Sequence, residues 1–189
     1  MSVPSSRDPV RTRRALLDGA ARAVTRHGAN VSLEVIARDA GVSKGGLLHH
    51  FASKDALLVA LVEDLLEQFT ASVHDQLDPA DDQPGRLVRA YVRATFDGLG
   101  QDEQARELAT LMAALGNLPE VVRAAQEDAQ RWKDAFAADG LDPHRATVIT
   151  RAADGVGMAF LFEGHVDEGE RDSTRDLLLA LTRATGPLR

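Results

Sequence analysis

The chain has 189 residues, 44% of them hydrophobic and 27% charged, with no cysteine; it can bury a sizeable core, and it excludes a disulfide framework, a thiolate zinc site and a cysteine nucleophile. The formal net charge of −7 argues against a nucleic-acid partner over the whole chain, yet residues 1–62 carry nine basic and five acidic groups, a net +4, and the remainder carries −11. No apolar run follows the N-terminal arginines, and the most apolar stretch, Val156–Phe162, is far shorter than the roughly 20 residues of a membrane span, so a cytoplasmic protein without membrane attachment is expected.

Strand signals are scarce, with only eight aromatic residues and no useful stretch of strict alternation, whereas helical spacing recurs throughout. The first predicted helix opens at Asp8-Pro9, carries Leu16, Ala20 and Val24 four apart, and stops at Gly28. A second, short helix follows Ser32 and runs through Ile36 and Ala37 to Gly41. A third follows Ser43 and ends near His50. The fourth is capped by Ser53 and repeats Leu57/Leu58, Leu61/Val62, Leu65/Leu66, Phe69 and Val73. The segment Leu77–Gly85, with two prolines, a glycine and three aspartates, gives the strongest linker or domain-boundary signal. Further helices are predicted at 86–99, 102–116, 119–139, 143–164 and 172–184, with an acidic turn at Asp167–Asp172. The fold class is therefore all-α, about nine helices, with a small basic N-terminal bundle and a larger acidic C-terminal one.

Residues 32–61 carry the chemistry. Ala40-Gly41-Val42 joins two short helices, and glycine suits a tight turn between helices that cross. Leu47 and Phe51, four apart, would pin the third helix against the first and fourth. This is helix-turn-helix grammar, in which the second helix enters a major groove about 12 Å wide. Ser43 and Lys44 put a hydroxyl, free backbone N–H groups and a cation where a phosphate would sit. Gly45 and Gly46 let the backbone approach DNA closely; without DNA, two glycines opening a helix are only a weak helix, costing about 1 kcal/mol each against alanine. His49 and His50 end the helix with ring donors or acceptors, and Lys54 adds a second cation. Taken alone, the two histidines read as surface or part-buried residues. They do not form a metal site, because adjacent histidines diverge on a helix and no carboxylate or cysteine joins them at ligand spacing.

The run VSKGGLLHHFASKDALL, with Gly28, Ser32 and Ile36-Ala37 to Ala40-Gly41-Val42 upstream, resembles the signature of the TetR family of transcriptional regulators over about residues 10–62. The usual form of that signature is V-S-K-G-x-[LI]-Y-x-H-F-x-[SN]-K-[ED]-x-L. The resemblance implies that Ser32 and Ser43 cap helices and touch phosphates, and that Lys44 contacts phosphate or a guanine edge. It implies that Gly45 and Gly46 lie against DNA, that His49 and His50 reach backbone or base, and that Lys54 holds a phosphate. Leu48 stands where tyrosine is usual, which removes a hydroxyl and offers contact with a thymine methyl instead. The function implied is that of a homodimeric repressor of a near-palindromic double-stranded operator, released by a small-molecule effector and needing no cofactor. Residues 1–56 would form the DNA-binding domain and 57–189 the ligand-binding and dimerisation domain. A helical enzyme finds no support: there is no phosphate loop, nucleophile elbow or metal-spaced histidine pair. A helical ligand-binding or interaction module that has lost DNA affinity is the other alternative, motivated by Gly46 and Leu48 in place of polar groups.

Seven of the eight aromatics lie after residue 62. Tyr91, Phe96, Met112, Trp132, Phe136, Phe160 and His165 are the candidates to line an effector cavity, with Tyr91, Trp132 or His165 as its polar handle. Their alternative role is plain core packing. Ala152, Ala153, Gly155, Val156, Gly157 and Ala159 would allow a second copy to approach closely, and the resemblance implies that the last two helices form a four-helix dimer interface.

Overall fold

The computed structural model describes residues 9–99, 102–163 and 167–184, and every regular element among them is an α-helix. These are α1 (Pro9–His27), α2 (Leu33–Asp39), α3 (Lys44–His50), α4 (Lys54–Asp75), α5 (Arg86–Leu99), α6 (Asp102–Leu115), α7 (Pro119–Ala138), α8 (Pro143–Glu163) and α9 (Glu168–Arg183). They form two compact units, one of residues 9–65 with 111–124 and the other of the described residues in 66–110 and 125–184.

In the first unit each boundary has a local cause. Gly28 ends α1 at φ 75°, in the left-handed region that residues with a Cβ avoid. Ser32, Ser43 and Ser53 cap α2, α3 and α4, each hydroxyl accepting from the backbone N–H three residues on. α2 closes in a Schellman motif: Gly41 at φ 67° donates to the Arg38 carbonyl and Val42 to the Ala37 carbonyl. Leu16, Ala20 and Val24 from α1 bury with Ile36 and Ala37 from α2, Leu47 from α3, Phe51, and Leu57, Leu58 and Leu61 from α4. Polar ties fasten the same helices. Arg22 donates to the Asp39 carbonyl at 2.7 Å, Arg14 pairs with Asp64 at 2.8 Å, and the Arg13 guanidinium lies 4.9 Å from the Phe51 ring centroid.

In the second unit α5 packs on α8 and α9 around Val88, Val92, Phe96, Ile149, Ala153 and Leu178. Two expectations need correction. The linker-like segment Leu77–Gly85 lies wholly inside this unit and is strapped to it. The fully buried Arg89 guanidinium meets both Asp81 carboxylate oxygens at 2.6 and 2.7 Å and also donates to the carbonyls of Gln83 and Pro84 and to the Thr182 hydroxyl. Composition flagged a flexible joint, but a buried ion pair eight residues away ties it down. The last helix begins four residues earlier than predicted, at Glu168. Asp167 caps it by accepting from the Glu170 N–H, and Glu168 and Glu170 in its first turn complement the positive end of the helix dipole. The acids that read as a turn are a helix start.

Candidate functional site

The seven-residue α3 presents an exposed face. Ser43 and Lys44 are exposed at its start. The Ser43 hydroxyl accepts from the Gly46 N–H at 3.0 Å, which leaves the hydroxyl proton for another partner. A Cβ added at Gly45 would meet nothing nearer than the Ser43 Oγ at 4.0 Å, so nothing within the protein requires glycine there. Leu48 and His49 are exposed, and His50 is half-buried. The Lys44 ammonium is hydrogen-bonded to the exposed Glu34 carboxylate of α2, and that bond holds the Glu34 carboxyl below its ordinary range. A pair this exposed is weak and screened by salt, so a phosphate oxygen can exchange for Glu34. Lys54 is placed differently. Its ammonium donates to the Ala29 carbonyl at 3.0 Å and ties the start of α4 to the loop after α1.

The second unit holds a cavity of about 320 Å³, at the lower end of the range for small-molecule sites. Four rings line it: Phe69 of α4, Tyr91 of α5, and Trp132 and Phe136 of α7. Trp132 and Phe136 sit one turn apart and stack at 5.4 Å, while Tyr91 meets both edge-on at 5.2 and 5.3 Å. The Tyr91 hydroxyl donates to Asp154 at 2.7 Å. Burial pushes this phenol well above its ordinary range, and the negative charge of Asp154 adds to the shift. Asp128, buried, lines the same cavity. Among the described residues no group of histidine, aspartate and glutamate side chains is placed to hold a metal ion, and no helix is long and apolar enough to cross a membrane.

Against known families, residues 16–61 match the "Bacterial regulatory proteins, tetR family" profile, and residues 85–183, more than half of the chain, match the "Tetracyclin repressor-like, C-terminal domain" profile. The chain belongs to the TetR family. Among similar TetR-type proteins, the HTH-type transcriptional regulator BetI of Agrobacterium fabrum is 45% identical over 90 residues, 47% of this chain and 43% of that protein. BetI of Stenotrophomonas maltophilia is 33% identical over 104 residues, 54% of this chain and 53% of that protein. The chain thus spans about half the length of the curated relatives it matches. Among solved structures, a TetR-family member from Streptomyces coelicolor A3 superposes with TM-score 0.71 at 27% identity, covering 90% of this chain and 97% of that one. The multidrug binding protein EbrR, complexed with imidazole, superposes with TM-score 0.69 at 26% identity, covering 96% and 97%.

Within this TetR chain, Ser43, Lys44, Gly45, Gly46, Leu48, His49 and His50 share one short helix and its cap, and Ser32 caps the helix before it. Of the predicted cavity residues, Tyr91, Trp132 and Phe136 come together at the cavity. Phe96 does not line it: only 2% exposed, it packs in the core with Val88, Val92 and Ile149. Met112 is not among the lining residues either, and it falls in the other compact unit. The Phe160 side chain and His165 lie outside the described residues. Phe69, another of the aromatics after residue 62, lines the cavity too, whereas sequence reasoning missed Asp128 and Asp154. Asp154 had a signal, being the one carboxylate in the apolar run from Ala152 to Phe162.

Proposed function

We propose that this TetR-family protein is a homodimeric transcriptional repressor that binds a near-palindromic operator through α3 and leaves it when a small molecule enters the aromatic cavity. One observation carries the reading: the recognition segment that matches the tetR regulatory profile folds as a capped, exposed, glycine-opened helix with Lys44 in its first turn. Ser32, Ser43, Lys44, Gly45, Gly46, Leu48, His49 and His50 are the proposed contacts. Lys54 acts first by fixing the loop after α1 and only second as a cation near phosphate. The BetI relatives are themselves named transcriptional regulators.

Dimer formation through α8 and α9 draws on exposed apolar groups. Val148, Met158 and Phe162 of α8 and Leu177 of α9 stand in solvent, Phe162 at 80% exposure. A Cβ built on Gly155 or Gly157 meets nothing within 4 Å, so the protomer itself gives no reason for these glycines, whereas close approach of a second copy does. Two heads about 34–36 Å apart would then meet successive major grooves. A ligand that binds one head spacing more tightly than the other shifts the population between them, and only that difference in affinity does so.

The test is a mobility shift with DNA flanking the protein's own coding sequence, the mass of the retarded complex being read by light scattering. The proposal expects two protomers per site. Absence of any shift at low salt overturns it in favour of an interaction or ligand-binding module without DNA affinity.

A further inference from the structure

We infer that the cavity in the second unit selects a compact organic cation, a quaternary ammonium or protonated amine bearing an apolar group, over neutral or anionic molecules of similar size. This rests on reading that cavity as the effector site. Three features of its lining carry the inference.

The first is its π surface. Phe69, Tyr91, Trp132 and Phe136 close on one another with ring centroids 5.2 to 6.0 Å apart, and all four line the cavity. Ring faces attract cations, and tryptophan does so most strongly. The second is the placing of charge. Two carboxylates, Asp128 and Asp154, line the cavity beside these rings. Their guanidinium partners, Arg131 at 2.9 Å and Arg151 at 3.2 Å, keep 67% and 62% of their side chains in solvent, and Lys133 is exposed as well. Hydrated charges at the rim are screened, whereas Asp128, buried beside the ring cluster, acts through little water, with the half-buried Asp154 adding to it.

The third is the orientation of the lining hydroxyls. Tyr91 gives its proton to Asp154, Thr147 gives its own to the Pro143 carbonyl, and Thr150 to the Ala146 carbonyl at 2.9 Å. The lining hydroxyls therefore turn acceptor oxygens, not protons, toward a guest. A guest with a diffuse positive charge and an apolar body satisfies ring faces and acceptors together. A carboxylate guest would find cations only at the exposed rim, where Lys133 is solvated and Arg151 is already paired with Asp154, and would meet the buried Asp128 beside the rings.

Trp132 is the only tryptophan in the chain, so its fluorescence reports this cavity directly. The full-length protein is titrated with benzyltrimethylammonium, N,N-dimethylbenzamide and phenylacetate, which share a benzene ring and differ in charge. Benzyltrimethylammonium should bind about tenfold more tightly than either of the others. In the Asp128→Asn/Asp154→Asn protein that ratio should fall towards one; if the double variant fails to fold by circular dichroism, Asp154→Asn alone should lose part of it. Equal or tighter binding of the amide or of phenylacetate overturns the inference while leaving the cavity as an effector site. So does a cation preference that survives loss of the carboxylates. If none of the three probes changes Trp132 emission or the melting temperature at millimolar concentration, the effector reading of the cavity falls too.

Discussion

Replacing Gly45 with alanine separates what α3 needs in order to fold from what it needs in order to meet DNA. The nearest heavy atom to the added Cβ is the Ser43 Oγ at 4.0 Å, an ordinary van der Waals contact, so the substitution introduces no clash. Alanine is favoured over glycine in a helix by about 0.5–1 kcal/mol, so the variant should be the more stable protein. For a chain of this size that gain corresponds to a melting temperature higher by about 1–4 °C. If the glycine backbone lies against DNA, the same methyl is wedged into a packed interface, where overpacking costs about 1–3 kcal/mol, or about 5–150-fold in Kd. Thermal denaturation followed by circular dichroism and fluorescence anisotropy with labelled operator measure the two effects on one preparation. A protein that melts higher and binds DNA as tightly as before would refute the argument that Gly45 serves DNA contact.

The same exchange at Gly19 should have the opposite sign for stability. Its Cβ would lie 2.7–2.9 Å from Cβ, N and Cα of Ala40, and backbone atoms cannot swing aside, so about 1–3 kcal/mol of overpacking outweighs the helix-propensity gain; a melting temperature at or above wild type would contradict this. Asp81→Asn leaves the buried Arg89 guanidinium without a counter-charge and should cost about 3–5 kcal/mol in urea unfolding at neutral pH. Hydrogen bonds from Arg89 hold the folded-state Asp81 pKa below its unfolded value, so its contribution is present above about pH 4 and lost as pH falls through the folded pKa. The gap between wild type and Asp81→Asn should therefore narrow at low pH, and a gap that stays constant would speak against the pair. Glu34→Gln removes the carboxylate that holds Lys44 in the free protein and repels phosphate, so operator affinity should rise several-fold; weaker binding would show that Glu34 positions Lys44 instead of competing for it.

The N-terminal unit was legible because its signals are local. Serine caps, Gly28, Gly41 and the Leu47/Phe51 pair each act within a few residues of themselves, and all sit where spacing put them. What pairs over longer distances was not. Lys44 and Glu34 are ten residues apart, Lys54 and the Ala29 carbonyl twenty-five, and no periodicity encodes either contact. Tyr91, Trp132 and Phe136 were found by their chemistry, but of the residues chosen on the same grounds Phe96 packs into core and Met112 belongs to the other unit. Which face of an amphipathic helix meets a cavity and which meets core is decided by the packing of α5, α7 and α8, a tertiary property. The acidic residues misled twice, at Asp81 and at Asp167–Glu170, because a carboxylate reads the same in a loop, a buried ion pair and a helix cap.

The central claim, that α3 meets DNA with Lys44 at phosphate range, is tested most directly by the salt dependence of operator affinity for wild type and Lys44→Ala. Binding to a duplex releases counterions in proportion to the phosphates neutralised, so the wild-type log–log plot should fall steeply with salt. Lys44→Ala should bind more weakly to every sequence, with a slope smaller by about one unit for each phosphate that the lysine no longer neutralises. The same affinity and the same slope in the variant would contradict the account.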